Sequence, residues 1–258
     1  MSFECLRISK AYSTRSGSVQ AVQDITFGVG EHEFVCLVGP SGCGKTTLLK
    51  IIAGLTPPTS GELNFEPELA AGRSPGAMVF QEHGIYPWMT VLDNVAFGLE
   101  MQGVSRRARR QRALTFVRKV GLVPFAGAYP HELSVGMRQR VGVARAFVAD
   151  TPLLLMDEPF GSLDAQIRSV LLDELLTIWK EDRKSVLYVT HDIEEAVLLG
   201  DRVLVMTGHP GRILRDIAVP LPRPRDLTSG EIATVVDIKR QIWKMLEEEV
   251  RRSLCLQS

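Results

Sequence analysis

The strongest chemical signal in the sequence is a glycine-rich run of eight residues. Gly39-Pro-Ser-Gly-Cys-Gly-Lys-Thr46 matches the phosphate-loop pattern in full, directly after an apolar run and directly before a segment with helical spacing. Glycines let the backbone wrap closely around a phosphate, so that successive N–H groups and the helix N-terminus point at the anion. Lys45 adds positive charge at the β- and γ-phosphates, and the Thr46 hydroxyl suits Mg²⁺. We therefore expect this loop to bind a nucleoside triphosphate together with its magnesium ion.

A pair of carboxylates follows a second apolar run. The residues from Leu153 to Met156 predict a buried strand, and Asp157 and Glu158 come directly after it. A strand that ends in a carboxylate can deliver Asp157 rigidly to a metal ion, while Glu158 can polarise the attacking water, a contribution of about 10²–10⁴ in rate. Alone, such a pair often marks only the solvated end of a strand. Combined with a phosphate loop, it indicates nucleotide hydrolysis.

Four further elements narrow the class of nucleotide-binding protein. Gln81 ends a predicted strand, the run from Leu133 to Arg140 opens a predicted helix, and His191 follows another predicted strand. The run Ser162-Leu-Asp164 lies just beyond the two carboxylates. In this order, the whole set resembles the ATP-binding cassette (ABC) family over nearly the full chain.

The resemblance implies roles for residues outside the phosphate loop. Tyr12 stands where the family has the aromatic residue that stacks on adenine, although a single tyrosine also suits the core or the surface. Gln81 matches the residue that contacts both the metal and the membrane partner. His191 matches the residue that contacts the γ-phosphate.

The run that contains Ser134 corresponds to the signature motif of the family. Ser134 and Gly136 match the residues that cap the γ-phosphate of ATP held by the other subunit, and Asp164 matches the residue that communicates between the two sites. The role is physically sensible, because serine is a good helix N-cap and a helix N-terminus attracts anions. Val135 replaces the family's first glycine and Met137 its glutamine. A β-branched side chain at Val135 predicts slower or altered closure on phosphate.

The site implied by the resemblance divides by role. Catalysis is assigned to Glu158, His191, Lys45 and Gln81. Mg²⁺ coordination is assigned to Thr46, Gln81 and Asp157. ATP contacts are assigned to Tyr12, Gly39, Pro40, Ser41, Gly42, Cys43, Gly44, Lys45, Thr46, Thr47, Ser134, Gly136 and Asp164. Cys43 either fills the loop or is a thiol whose pKa is lowered by Lys45 and the helix N-terminus.

The elements that must position these residues predict an α/β fold. The expected architecture is a P-loop NTPase (RecA-like) core with a mixed sheet and an inserted helical subdomain, as in ABC ATPases. We expect one ABC ATPase domain over 1–258, with 1–86 and 151–258 forming the core and N-terminal β subdomain and 87–150 the helical subdomain with the signature motif. Strands are predicted at 34–39, 77–81, 153–156, 185–190 and 202–206. Helices are predicted at 45–53, 90–99, 105–120, 135–149, 165–180 and 231–254.

Composition excludes several classes of protein. The 258 residues include 30 basic and 30 acidic side chains, and 45 % are hydrophobic, so the chain is neither disordered nor basic like a nucleic-acid-binding protein. No run approaches the roughly 18 apolar residues of a membrane span, and the first ten residues lack the apolar core of a signal peptide. The four cysteines have no metal-binding spacing and predict free thiols in a reducing compartment.

Charge and apolar side chains are nevertheless segregated along the chain. Residues 101–131 contain seven basic and no acidic side chains. This basic stretch forms either a solvated helical face or a contact with something anionic, such as lipid head groups or an acidic partner. The last predicted helix either packs on its own domain or fills a partner groove. Its apolar residues are expected largely on one side: Ile232, Val235, Val236, Ile242, Trp243, Leu246 and Val250.

Three segments point to an importer. The segment from Tyr86 to Gly98 looks like the importer region that receives a helix from the membrane subunit. Many importer ATPases have a Phe-Gly pair at the position of Phe160-Gly161. With the turn from Pro210 to Ile213, the resemblance is greatest to ATPases of nitrate, sulfonate, taurine and bicarbonate importers. The alternative within this class is an importer of a thiamine-precursor pyrimidine or another small solute. The alternative outside it is a soluble ABC ATPase that acts on nucleic acid or ribosomes.

The resemblance also implies partners. We expect the chain to bind ATP and Mg²⁺ and to pair with a second ATPase subunit, most simply as a homodimer. It is expected to bind two transmembrane permease subunits and, through them, to serve a solute-binding protein. No nucleic-acid partner is expected. The expected location is the cytoplasmic face of the inner membrane, peripheral through the permease subunits.

Overall fold

The computed structural model describes residues 2–14, 17–68, 75–80, 84–149, 151–223, 225 and 232–255. These residues contain nine β-strands and seven α-helices. The strands are β1 (Ser2–Thr14), β2 (Gly17–Val29), β3 (Phe34–Val38), β4 (Ser60–Glu66), β5 (Ala77–Val79), β6 (Leu153–Asp157), β7 (Ser185–Thr190), β8 (Arg202–Met206) and β9 (Ile213–Ala218). The helices are α1 (Lys45–Ile52), α2 (Val91–Met101), α3 (Arg106–Lys119), α4 (Val135–Val148), α5 (Ala165–Glu181), α6 (Ile193–Leu199) and α7 (Ile232–Cys255).

The first of two compact units comprises Met1–Pro75 and Ser185–Ser258. Its strands β7, β3 and β8 pair in parallel in that order, and β9 pairs antiparallel with β8. Every residue of β3 and β7 is buried, as expected of strands in a parallel sheet that is covered on both faces. A separate antiparallel sheet has the order β2-β1-β4. The mixed sheet with its helices confirms the predicted α/β class.

The second unit comprises Gly76–Lys184. Its two strands, β5 and β6, pair in parallel. Helices α2, α3 and α4 pack on one another and bury Leu99, Val117 and Phe147. A hydroxyl side chain caps the start of each of these three helices, which explains where they begin.

The predicted elements agree closely with the observed ones. Strands β7 and β8 have the predicted bounds, and the other predicted helices and strands differ at their ends by no more than two residues. Strands β1, β2, β4 and β9 were not delimited by the sequence pattern. The division into a core and a helical subdomain at residues 87 and 150 stays a prediction. Among the described residues, no helix is both long and apolar enough to span a bilayer.

The seven basic side chains of residues 101–131 all lie on helix α3. Three of its seven basic side chains form ion pairs within 2.7 Å: Arg109 with Glu100, Arg110 with Asp93 and Lys119 with Glu181. The others are exposed: Arg106, Arg107, Arg112 and Arg118. Exposed pairs of this kind contribute about 0–1 kcal/mol each. Four basic side chains of α3 are therefore accessible, which agrees with both predicted roles.

Helix α7 differs from its prediction. The sequence pattern predicted apolar residues largely on one side of the helix, but the structure places them on two sides. Ile238 and Ile242 are buried, whereas Val236, Trp243 and Val250 are 42 %, 64 % and 44 % exposed. The helix therefore has two apolar faces, one packed against its own unit and one accessible. Periodicity could not separate them, because it registers apolar residues without showing which neighbours they meet.

Candidate functional site

The phosphate loop lies between the buried strand β3 and helix α1. Two of its glycines, Gly42 and Gly44, have positive φ angles of 76° and 100°, which L-residues rarely adopt. A Cβ atom on Gly44 would lie 2.6 Å from Val22 Cγ1 and 2.7 Å from the Ala21 carbonyl oxygen. Glycine at 44 is therefore required by both backbone conformation and space. No side chain caps the start of α1, so its first N–H groups remain oriented towards the loop.

Lys45 is held in place by the loop itself. Its side chain is only 6 % exposed, and Nζ donates hydrogen bonds to the carbonyl oxygens of Gly39 (2.8 Å) and Pro40 (3.0 Å). The ammonium group is thus positioned over the loop before any phosphate arrives. Thr46, in the first turn of α1, is exposed and presents a hydroxyl oxygen of the kind that Mg²⁺ prefers.

Cys43 is buried within the loop. Its side chain is 1 % exposed, and a Cβ on Gly39 would lie 2.9 Å from Sγ. The sulfur therefore fills the interior of the turn. Burial raises the pKa of the Cys36 thiol in the adjacent strand, so that cysteine stays protonated at neutral pH.

His191 is positioned by a buried network that the sequence analysis missed. Glu195 is 4 % exposed and its Oε2 accepts hydrogen bonds from Thr190 Oγ1 (2.7 Å) and the Tyr188 hydroxyl (3.0 Å). Thr190 Oγ1 accepts in turn from the Asp192 N–H at 3.0 Å, and Asp192 caps α6. His191 lies between these two anchored residues. The sequence does contain a signal for this network: Glu195 lies three positions after the cap Asp192, on the apolar face of the short helix α6.

The carboxylate pair lies in the second unit, at the end of β6. Asp157 is 4 % exposed, whereas Glu158 is half-buried and has a φ of 45°. A left-handed conformation at a residue other than glycine costs about 1–2 kcal/mol. Gly161 lies close: a Cβ there would be 3.3 Å from Glu158 Oε2. The chain thus holds Glu158 in a left-handed turn, with Gly161 close to its carboxylate.

The signature residues also lie in the second unit. Ser134 caps α4 by accepting a hydrogen bond from the Met137 N–H at 3.3 Å, and Asp164 caps α5 by accepting from the Ile167 N–H at 3.1 Å. Both caps are exposed. A Cβ on Gly136 would lie 3.5 Å from Ile167 Cγ2, so the starts of α4 and α5 adjoin.

The described structure places the predicted site residues in two groups. Tyr12, the phosphate loop and His191 belong to the first unit, and Ser41 and His191 line the same cavity. The carboxylates and the signature residues belong to the second unit. Tyr12 is 40 % exposed, with Lys10 Nζ 5.3 Å from its ring centroid, and its stacking role stays a prediction. Gln81 lies outside the described residues.

The segment from Tyr86 to Gly98 is built around a buried amide. Asn94 is fully buried, and its Nδ2 donates to the carbonyl oxygens of Tyr86, Met89 and Thr90, each within 3.1 Å. Its Oδ1 accepts from the Tyr86 N–H at 2.7 Å. This network fixes the turn that precedes α2 and leaves Trp88 69 % exposed. An aromatic side chain held outward by a rigid turn is typical of a protein contact.

Fold and sites define a P-loop ATPase of the cassette type, and comparisons with known proteins identify its family. A family model described as "ABC transporter" matches residues 22–161. The chain is 45 % identical over 225 residues to the nitrate import ATP-binding protein NrtD of Synechocystis sp., covering 86 % of this chain and 84 % of that protein. It is 47 % identical over 211 residues to the taurine import ATP-binding protein TauB of Burkholderia thailandensis, covering 81 % and 80 %. The chain belongs to the ABC transporter family.

Solved structures agree with this assignment. The dimeric structure of a bacterial ABC transporter cassette matches with a TM-score of 0.76 at 32 % identity, covering 85 % of this chain and all of that one. A post-hydrolysis state of that cassette, bound to ADP and Pi, matches with a TM-score of 0.73 at 31 % identity. These likenesses confirm the ABC ATPase fold and the classification of the chain as an ABC-type ATPase.

Proposed function

We propose that this chain is the ATP-hydrolysing subunit of an importer for a small anionic solute such as nitrate, sulfonate, taurine or bicarbonate. The observation that carries the ATPase part is the phosphate loop, with its uncapped helix start and its anchored Lys45. The importer part is supported by the relatives named for nitrate and taurine import, each about half identical to this chain. Which of these solutes is carried depends on partner proteins that select it.

In the proposed mechanism two copies enclose two ATP molecules head to tail. Each site combines Lys45, Thr46, Gln81, Asp157, Glu158 and His191 of one copy with Ser134 and Gly136 of the other. The Ser134 hydroxyl oxygen accepts from its own helix, which leaves its O–H to donate to the γ-phosphate of the opposite ATP. Glu158 acts as the general base on the attacking water, and His191 contacts the γ-phosphate.

The donor set fits Mg²⁺. The exposed Thr46 hydroxyl and the buried Asp157 carboxylate are oxygen ligands of the kind that this ion selects. When bound with ATP, the ion neutralises charge on the β- and γ-phosphates. Asp157 supplies the charge and the rigid strand end, and Thr46 the neutral oxygen.

The proposed partners are two permease subunits, each received by the surface around Trp88. The Asn94 network supports this role, because it holds the turn rigid while the indole stays accessible. Binding there places the protein at the cytoplasmic face of the membrane as a peripheral subunit. Movement of the two copies is then transmitted to the permease through this surface.

Substitution Glu158→Gln tests the assignment of the base. Glutamine keeps the size of the side chain but cannot accept the proton, so hydrolysis should fall by about 10²–10⁴-fold while ATP affinity stays within a fewfold. Phosphate release and equilibrium binding of a fluorescent ATP analogue measure the two effects. The control is Asp173→Asn, which neutralises an exposed carboxylate on α5 and should leave both values unchanged. Wild-type turnover in the Glu158→Gln protein would contradict the assignment.

A further inference from the structure

Helix α7 is firmly attached through one of its faces. Ile242 is fully buried, and Glu249, 7 % exposed, accepts a hydrogen bond through Oε2 from the Gly208 N–H at 3.0 Å. Nearer the start of the helix, Lys239 Nζ lies 2.9 Å from Glu194 Oε2 on α6. These contacts fix the orientation of α7 on its unit. Its other face is therefore presented in a defined direction.

That other face forms one wall of a cavity of about 800 Å³. Trp243, Leu246 and Val250 line this wall, and Trp243 is 64 % exposed. The opposite wall contains residues 39–41 of the phosphate loop and His191. Large accessible apolar side chains beside a cavity mark an interaction site. We call this feature, with its two walls, the α7 cleft.

A second set of accessible apolar side chains lies beside the signature serine. Val135, Ile167 and Val170 are 38 %, 45 % and 53 % exposed. Because Gly136 approaches Ile167 closely, these side chains belong to adjoining helix starts. Val135 directly follows Ser134, so the apolar patch adjoins the signature serine.

We propose that the apolar patch (Val135, Ile167 and Val170) of a second copy of this chain packs into the α7 cleft when two copies close on ATP. The proposal rests on the proposed function, in which Ser134 of one copy approaches the phosphate loop of the other. The α7 cleft is continuous with that loop, since residues 39–41 and His191 form one of its walls. The valine at 135 and the exposed tryptophan at 243 then complement each other across the interface.

The consequence is that α7 adds an apolar interface to the contact made through ATP. A phosphate contact alone depends on the nucleotide, whereas apolar burial strengthens closure once the nucleotide has brought the copies together. This apolar contact also compensates for Val135, whose side chain prevents the close approach to phosphate that a glycine would allow. In this proposal Trp243 is a positioning residue, which acts on the closed pair of copies rather than on the reacting atoms.

The test measures dimer formation by the full-length Glu158→Gln protein in Mg-ATP, by analytical ultracentrifugation. Trp243→Ala should weaken the dimer about tenfold and Val250→Ser roughly threefold, because buried aromatic anchors dominate interfaces. The matched control is Val236→Ser. Val236 is on the same helix and is about as exposed as Val250, but it does not line the cleft. It should leave the dimer unchanged. Binding of a fluorescent ATP analogue to each variant shows that nucleotide affinity is retained.

A cross-linking experiment identifies the occupant of the cleft. One copy carries Val135→Cys and the other Trp243→Cys, both with Cys255→Ser, and a short bis-maleimide is added. A covalent dimer that forms in Mg-ATP but not in Mg-ADP supports the proposal. The proposal is overturned if the dimer is not cross-linked and is not weakened by Trp243→Ala and Val250→Ser. The cleft is then covered by this chain itself or by another molecule. A Glu158→Gln protein that stays monomeric in Mg-ATP overturns the proposed paired mechanism as well.

Discussion

Helices α1 and α4 both begin at residues assigned to phosphate binding, but their N-termini are built differently. Helix α1 follows Gly44, which has a φ of 100° and no space for a Cβ, and no side chain caps it. Helix α4 follows Ser134, whose hydroxyl accepts the Met137 N–H at 3.3 Å. The first helix therefore offers backbone N–H groups to an anion, whereas the second satisfies its own backbone and offers a hydroxyl.

This difference suits two successive steps. The N-terminus of α1, which follows the buried strand β3 and has no side-chain cap, can bind triphosphate within one copy, before any partner is present. The N-terminus of α4 is capped and exposed, so it is stable without phosphate and remains available to ATP bound by the other copy. In the proposed mechanism, the start of α1 serves nucleotide binding and the start of α4 serves closure.

The largest expected effect on this comparison comes from Gly44→Ala. The added Cβ would meet Val22 Cγ1 at 2.6 Å and the Ala21 carbonyl at 2.7 Å, so the start of α1 must shift. Because a lost hydrogen bond to a charged phosphate costs about 1.5–3 kcal/mol, ATP affinity should fall by on the order of 100-fold. Equilibrium binding of a fluorescent ATP analogue measures it.

Gly42→Ala is the matched control for the same loop. Gly42 also has a positive φ, 76°, but a Cβ there meets nothing within 4 Å. The change should cost only the strain of a left-handed alanine, about 1–2 kcal/mol of stability, with a much smaller loss of ATP affinity. Equal losses in the two variants would show that space at Gly44 does not decide the geometry of the loop.

A smaller effect is expected at the start of α4. Ser134→Ala removes both the cap and the O–H, so it should lower thermal stability by about 1 kcal/mol and hydrolysis roughly tenfold. Ser134→Asp keeps a good cap but brings negative charge to the phosphate, and should be stable yet nearly inactive. Differential scanning calorimetry and phosphate release separate the two roles. An active Ser134→Asp protein would contradict the contact between Ser134 and phosphate.

The sequence was sufficient for the central elements and for the motifs. Strands such as β3, β7 and β8 are short apolar runs, and helices such as α2, α4 and α5 begin at recognisable caps, so local pattern fixes their bounds. Strands β1 and β2 are long, partly exposed and paired with register shifts, and their limits depend on partners distant in the chain. The buried Glu195 network and the accessible face of α7 were missed for the same reason. Burial is set by tertiary neighbours rather than by periodicity.

The central claim is that each hydrolysis site is shared by two copies, and a mixing experiment tests it most directly. Lys45→Ala removes the anchored ammonium, and Ser134→Asp disables the signature contact while keeping its helix cap. Each protein alone should be inactive. An equal mixture of the two should recover about a quarter of wild-type phosphate release, because half of the pairs are mixed and each of these has one intact site. A mixture that stays as inactive as its components would contradict the claim.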